Sequence, residues 1–143
     1  MNKSEIKIKI LDEGAKVPFY ATDEAAGFDL YSLKDLILEP GKVNKIPMGI
    51  ALEIPNGFFL QVVSRSGLAS KGIYNLTGTI DSDYRGELHI LLFNTTDKIF
   101  NLEKGDRIAQ CLLLPIYRAE FKQVDKLSET KRGEGGFHST GKK

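Results

Sequence analysis

The chain has 143 residues and a mass of 15.9 kDa, with 41% apolar and 27% charged residues. That is the size and usage of one globular domain with a core of its own. The charge sum is +1, which excludes a generally basic nucleic-acid coat and an acidic tail. The lone cysteine, Cys111, excludes an intrachain disulfide and a paired-cysteine metal site.

In chain order, Ile6, Ile8 and Ile10 alternate with lysines, which predicts a strand and lacks the apolar stretch of a secretory leader. Frequent Gly and Pro then leave no room for long helices: between Gly14 and Gly86 the longest stretch free of both is Phe28 to Glu39, 12 residues. Ile46, Met48, Ile50, Leu52 and Ile54 share one face of a strand, with Pro47 and Pro55 pointing to an edge or a strand end. Phe58, Leu60 and Val62 repeat that alternation. Ser66 to Lys71 fits one short helical turn. Glu87–Asn94 and Arg107–Ile116 read as buried strands, with Cys111 as a small core residue. Tyr117, Phe121, Val124 and Leu127 are spaced 4, 3 and 3, which by periodicity alone predicts an amphipathic helix. After Ser128 the chain turns polar and glycine-rich, and a mobile tail is expected. The sum is an all-β domain over residues 1–128, a sandwich, jelly roll or barrel, followed by a tail over 129–143. No apolar run approaches the length of a bilayer span, so a soluble cytoplasmic chain is expected, with no membrane partner and no direct nucleic-acid binding.

Five segments carry candidate chemistry. The tail Arg132-Gly-Glu-Gly-Gly-Phe137-His-Ser139-Thr140-Gly-Lys-Lys143 offers backbone N–H groups, hydroxyls and a guanidinium to an anion, and one ring to a flat base. A disordered tail is the plain alternative. Gly136 to Lys142 imitates the start of a P-loop, but Lys143 stands where Ser or Thr is needed and no helix follows. Asp81 and Asp83 begin like a calcium loop, but Arg85 and Leu92 occupy ligand positions. What remains there is either a turn or a carboxylate that orients or deprotonates a water. Ser64-Arg65-Ser66-Gly67 has the makings of a compact phosphate clamp. Gly105-Asp-Arg-Ile-Ala-Gln110 puts a polar Gln into a buried strand. Ala25-Ala-Gly-Phe-Asp29-Leu30 reads by itself as a turn. The two histidines, His89 and His138, have no metal-ligand spacing.

Taken together and in this order, AAGFDL, SRSGLASKG, NLTGTIDSDYRGEL, GDRIAQ and RGEGGFHSTG resemble the five motifs of the homotrimeric dUTP pyrophosphatases, or dUTPases. The likeness spans Ala25 to Gly141. It implies a distorted jelly-roll β-barrel of short strands with at most one short helix, so Tyr117–Leu127 would be mostly extended. It implies a homotrimer whose active sites draw on all three subunits. The implied reaction is hydrolysis of dUTP to dUMP and pyrophosphate, by in-line attack of water at the α-phosphorus with Mg²⁺ on the triphosphate. That reaction limits uracil incorporation into DNA and supplies dUMP for thymidylate synthesis.

By position, Asp81 matches the catalytic residue that holds the attacking water, and Tyr84 the ring under the deoxyribose. Asn75, Thr79 and Ile80 match the hairpin that reads uracil. Arg65, Ser66 and Gly67 match the phosphate turn, and Gln110 a phosphate-contacting amide. Asp29 matches a carboxylate on the metal's water shell. Arg132, Ser139 and Thr140 match γ-phosphate contacts, and Phe137 the ring that stacks on uracil. Three positions depart from the pattern: Ser64 replaces a usual Pro, His138 a usual Gly, and His89 a common Lys whose substrate contact is open. The dCTP deaminases, which share the fold, and a non-catalytic jelly-roll trimer are the alternatives.

Overall fold

The computed structural model describes residues 3–136. Its strands are β1 (Lys7–Ile10), β2 (Phe28–Tyr31), β3 (Leu36–Leu38), β4 (Val43–Glu53), β5 (Phe58–Val63), β6 (Ile73–Asn75), β7 (Thr79–Ile80), β8 (Glu87–Asn94), β9 (Phe100–Leu102) and β10 (Arg107–Pro115). The short helix expected near Ser66 is there, as α1 (Ser66–Ala69). One sheet runs β1-β4-β8-β6, a second β2-β10-β5-β7, and β3 pairs with β9. The all-β jelly-roll expectation holds. Among the described residues the ladders stay separate rather than closing into one ring.

Alternation decides what faces inward. In β8, Leu88, Ile90, Leu92 and Asn94 are buried, while Glu87, His89, Leu91 and Phe93 are half-exposed. In β4 the predicted inward residues Ile46, Met48, Ile50 and Leu52 are buried, as is Ile54 just past its end. Of the two prolines, Pro55 marks the strand end, two residues past Glu53, but the edge reading of Pro47 needs correcting. β4 is not an edge strand, since it lies between β1 and β8. However, β1 pairs only with Ile50–Glu53, so at Pro47 that side of β4 has no ladder to lose. The pairing with β8 shifts register between Pro47 and Ala51. Gly49 lies in that irregularity with φ +64, and a Cβ there would come within 2.7 Å of Asp12 Cβ. In β1, Ile6 and Ile8 pack partly on the core as expected, but Ile10 is exposed.

The helical spacing of Tyr117 to Leu127 is overruled. The segment has no helix, and Tyr117, Phe121 and Leu127 are 93%, 95% and 81% exposed. A helix this short is marginal unless its apolar stripe packs on something, and of that stripe only Val124, 49% exposed, is even half covered among the described residues.

Cys111 faces the core from β10 and is fully buried. Desolvation pushes its thiol up from 9.0 to about 12. The unfolded thiol ionises first, so Cys111 favours the fold below about pH 9 and loses that contribution between pH 9 and 12. A chromogenic thiol reagent at pH 8 is expected to leave the native protein unlabelled and to label it in denaturant. Rapid native labelling would contradict this burial.

Candidate active site

The short strand Phe28-Asp-Leu-Tyr31 shows how the first half of the site arises. Phe28 and Leu30 point to the core, so Asp29 and Tyr31 point to the opposite face. Gln110 of β10 lies directly across from Asp29, and Val63 of β5 across from Gln110. Asp29 is only 4% exposed. Two guanidiniums cover it: Arg65 Nε lies 3.0 Å from Oδ1, and Arg107 Nη1 lies 3.2 Å from Oδ2. Only the Arg107 contact is aimed as a hydrogen bond; Oδ1 accepts none. Arg65 Nη1 donates instead to the Arg107 carbonyl at 3.2 Å. Gln110 Nε2 donates weakly to Gly27 O at 3.4 Å, and a Cβ at Gly27 would run into Cys111 O and the Gln110 side chain, 2.7 Å from each.

Arg65 and Arg107 line a surface groove of about 710 Å³, shared with Gly67, Tyr31 and Phe100. Burial, and secondarily Asp29, raise the Tyr31 phenol pKa. Ser66 and Gly67 are exposed in the first turn of α1, where N–H groups lack intrahelical partners.

The second half is the hairpin from β6 to β7. It crosses between sheets: β6 pairs with β8, and β7 with β5. Asn75 is its anchor. Its Nδ2 donates to Val62 O (3.0 Å) and Thr77 O (3.1 Å), and its Oδ1 accepts the Thr77 N–H (3.1 Å). Thr77 Oγ1 accepts the Leu91 N–H at 2.7 Å. The Asn75 amide is thus committed to holding the loop. Ser64, the departure from the family's usual Pro, also has a role: its Oγ accepts the Asn75 N–H at 2.8 Å. It ties the phosphate turn to the hairpin, a bond no proline could make.

Beyond β7 the chain turns at Asp81, whose carbonyl accepts the Tyr84 N–H at 3.2 Å. The Asp81 side chain is exposed. Tyr84 Oη donates to Glu87 O at 3.0 Å, and His89 Nδ1 lies 2.9 Å from the same carbonyl. A carbonyl only accepts, so the His89 proton sits on Nδ1. Nε2 stands 3.8 Å from Glu87 Oε2. His89 and the Tyr84 hydroxyl therefore share the Glu87 carbonyl. A Cβ at Gly86 would come within 2.6 Å of Tyr84 Cζ, so any side chain there would displace the ring from this position. Arg85 Nη1 closes the turn onto Ser82 O at 2.6 Å.

The two halves touch at Ser64 and Asn75, but Asp29 and Asp81 stand well apart. Asp29 and β7 lie on opposite edges of one four-stranded sheet, and Asp81 follows Ile80, which pairs with Leu60, three residues from Val63. Strand spacing and rise put roughly 20 Å between Asp81 and the Asp29 cluster. In the tail, Arg132 Nε donates to Gly135 O at 2.8 Å, and Gly133 N–H to Thr130. Phe137, Ser139 and Thr140 lie outside the described residues. No group of three His, Cys, Asp or Glu could hold a metal among the described residues, and among them no helix is long and apolar enough to cross a membrane.

The family model described as dUTPase matches residues 13–141. The chain belongs to the dUTPase family. It is similar to the deoxyuridine 5'-triphosphate nucleotidohydrolase of Nautilia profundicola, 49% identical over 96% of this chain and 99% of the relative. It is 48% identical to that of Clostridium tetani, over 99% and 100%. Among solved structures it resembles the Staphylococcus bacteriophage 80alpha dUTPase with dUPNHPP, with a TM-score of 0.88 and 32% identity over 97% of this chain and 99% of the other. A mutant dUTPase of phage phi11 of S. aureus, with a structural Mg(II) ion, matches at TM-score 0.77 and 29% identity over 86% and 98%. Family membership makes the chain a hydrolase of the pyrophosphate-releasing class.

Reading the motifs singly missed Arg107 and Thr77. Both stand within or beside quoted motifs, but their partners are Asp29, 78 positions away, and Leu91, 14 away. No local pattern announces such pairs.

Proposed function

We propose that the chain hydrolyses dUTP to dUMP and pyrophosphate, and that the working unit is a homotrimer with shared sites. One observation supports this reading: Asp81 and Asp29, each in a family motif, stand roughly 20 Å apart, with β7 and β2 at opposite edges of one sheet, so a single chain does not bring them together. One half suits a triphosphate and the other a uracil–deoxyribose unit. A clamp from one subunit facing a hairpin from its neighbour makes the site whole, and the tail, residues 129–143, would close over it from a third. Its Arg132, Phe137, Ser139 and Thr140 are the residues assigned to that closure, which would expel water.

In the reaction, Asp81 orients a water and takes its proton as the oxygen attacks the α-phosphorus. The α–β bridging P–O bond breaks, and pyrophosphate leaves. Tyr84, with its hydroxyl held by Glu87 O and its ring held against Gly86, carries the deoxyribose and leaves no space for a 2′-hydroxyl. Backbone groups of the Asn75–Ile80 hairpin pair with the uracil edge; cytosine would leave them unpaired, and such mismatches discriminate strongly. Arg65, Gln110 and the Ser66–Gly67 backbone take the phosphates. Phosphoryl transfer of this kind rests on positioning and charge neutralisation.

The residues also fit a magnesium ion held mainly by phosphate and water. Asp29, a single carboxylate already covered by two guanidiniums, would reach the ion only through its water shell, not as part of a protein cage. The ion would neutralise charge on the triphosphate. A soluble cytoplasmic location, dUMP supply and a limit on uracil in DNA follow from the same reading.

The test is pyrophosphate release with Mg²⁺ from dUTP beside dTTP, dCTP and UTP. Release from dUTP alone is expected. Equal release from all four overturns the account of the hairpin and Tyr84; ammonia from dCTP moves the chain to the deaminases of the same fold.

A further inference from the structure

We propose that Arg107 is a positioning residue for triphosphate binding: it holds Asp29, and so leaves the outer N–H groups of Arg65 free to take phosphate. The inference rests on the phosphate-binding role assigned to Arg65 above.

Asp29 is buried and must be compensated. Two arginines could do so, but their geometry divides the work. Arg107 makes the aimed hydrogen bond, to Oδ2. Arg65 stands 3.0 Å from Oδ1 through Nε, and that oxygen accepts no hydrogen bond. Arg65 spends a proton of Nη1 on the backbone of Arg107. Arg107 therefore fixes Arg65 twice: by its carbonyl, and by satisfying the carboxylate that would otherwise draw Arg65 inward. Both arginines line the same groove. Two cations against one carboxylate leave that wall with an excess positive charge, which a triphosphate would meet. Without Arg107, the cluster would be neutral and Arg65 the only partner of a buried carboxylate. A lone charge left buried would take that partner, and a guanidinium turned fully onto a carboxylate offers fewer N–H groups to an anion.

The test uses inorganic tripolyphosphate as the probe, in buffer with chelator and without divalent cations, measured by calorimetry on the full chain. Arg107→Gln is expected to weaken tripolyphosphate binding about 10- to 100-fold, and in the assay with Mg²⁺ to raise KM for dUTP more than it lowers kcat. Arg107→Lys keeps the charge without the planar fork, and is expected to recover part of both losses at a thermal midpoint close to that of the wild type. Binding by Arg107→Gln equal to wild type overturns the inference, whether or not dUTP is hydrolysed. So does a binding loss that is the same in both variants and tracks a loss of folded protein. Weakened binding by folded Arg107→Gln supports it even in a chain that proves inactive on dUTP, so the two readings fail separately.

Discussion

Replacing Asp81 by Asn is expected to cut pyrophosphate release from dUTP by about 10²- to 10⁴-fold, the range that general-base catalysis commands. The fold should not notice. The Asp81 side chain is exposed, and the turn that follows is held through its backbone carbonyl by the Tyr84 N–H. Asn has the same shape but takes no proton from water. Thermal unfolding and the binding of a non-hydrolysable dUTP analogue should therefore stay near wild type, and the loss should fall on kcat. Steady-state kinetics with a calorimetric binding control would decide it. A loss below tenfold, or one confined to KM, would move Asp81 from chemistry to binding.

The largest effect on stability is expected at Asn94, far from this chemistry. Asn94 is fully buried at the end of β8. Its Nδ2 donates to Leu38 O at 2.9 Å and to Lys98 O at 2.8 Å, and its Oδ1 accepts from Thr96 N–H at 3.0 Å and Thr96 Oγ1 at 2.8 Å. One side chain thus fastens β3, β8 and the loop before β9. Asn94→Ala would leave several of these groups unpaired inside the protein, at a cost of about 3 kcal/mol. For a chain of this size the thermal midpoint should fall by roughly 10 °C. Asn94→Asp should cost more, since it removes the donors and buries a charge. A midpoint within a degree or two of wild type for Asn94→Ala would show that the surrounding groups find other partners.

Much of the inside–outside pattern was legible in the chain, because strand faces obey a period of two that needs no distant information. Glu87–Asn94 alternates without a fault, and Ile46 to Ile54 all point inward across a register shift. The motif residues stood out through family resemblance; their spacing alone leaves Asp29 as a turn former and Asp81 as one of two turn carboxylates. Two local signals misled. Pro47 marks a stretch of β4 that its neighbour β1 does not cover, rather than an edge strand. Tyr117 to Leu127 has the spacing of an amphipathic helix and forms none, because periodicity states which side would be buried but cannot supply the surface that buries it.

What the sequence by itself determined, then, is the all-β class, the inward faces of the long strands, the short turn at α1 and the motifs that mark the family. These depend on neighbours a few positions apart. Only the tertiary structure decided that Arg107 rather than Arg65 hydrogen-bonds Asp29, that Ser64 ties its turn to Asn75, and that Asp81 and Asp29 stand on opposite sides of one sheet. Those facts are set by strand order and register, which join residues 11 to 78 positions apart, and each is the outcome of packing the whole chain at once.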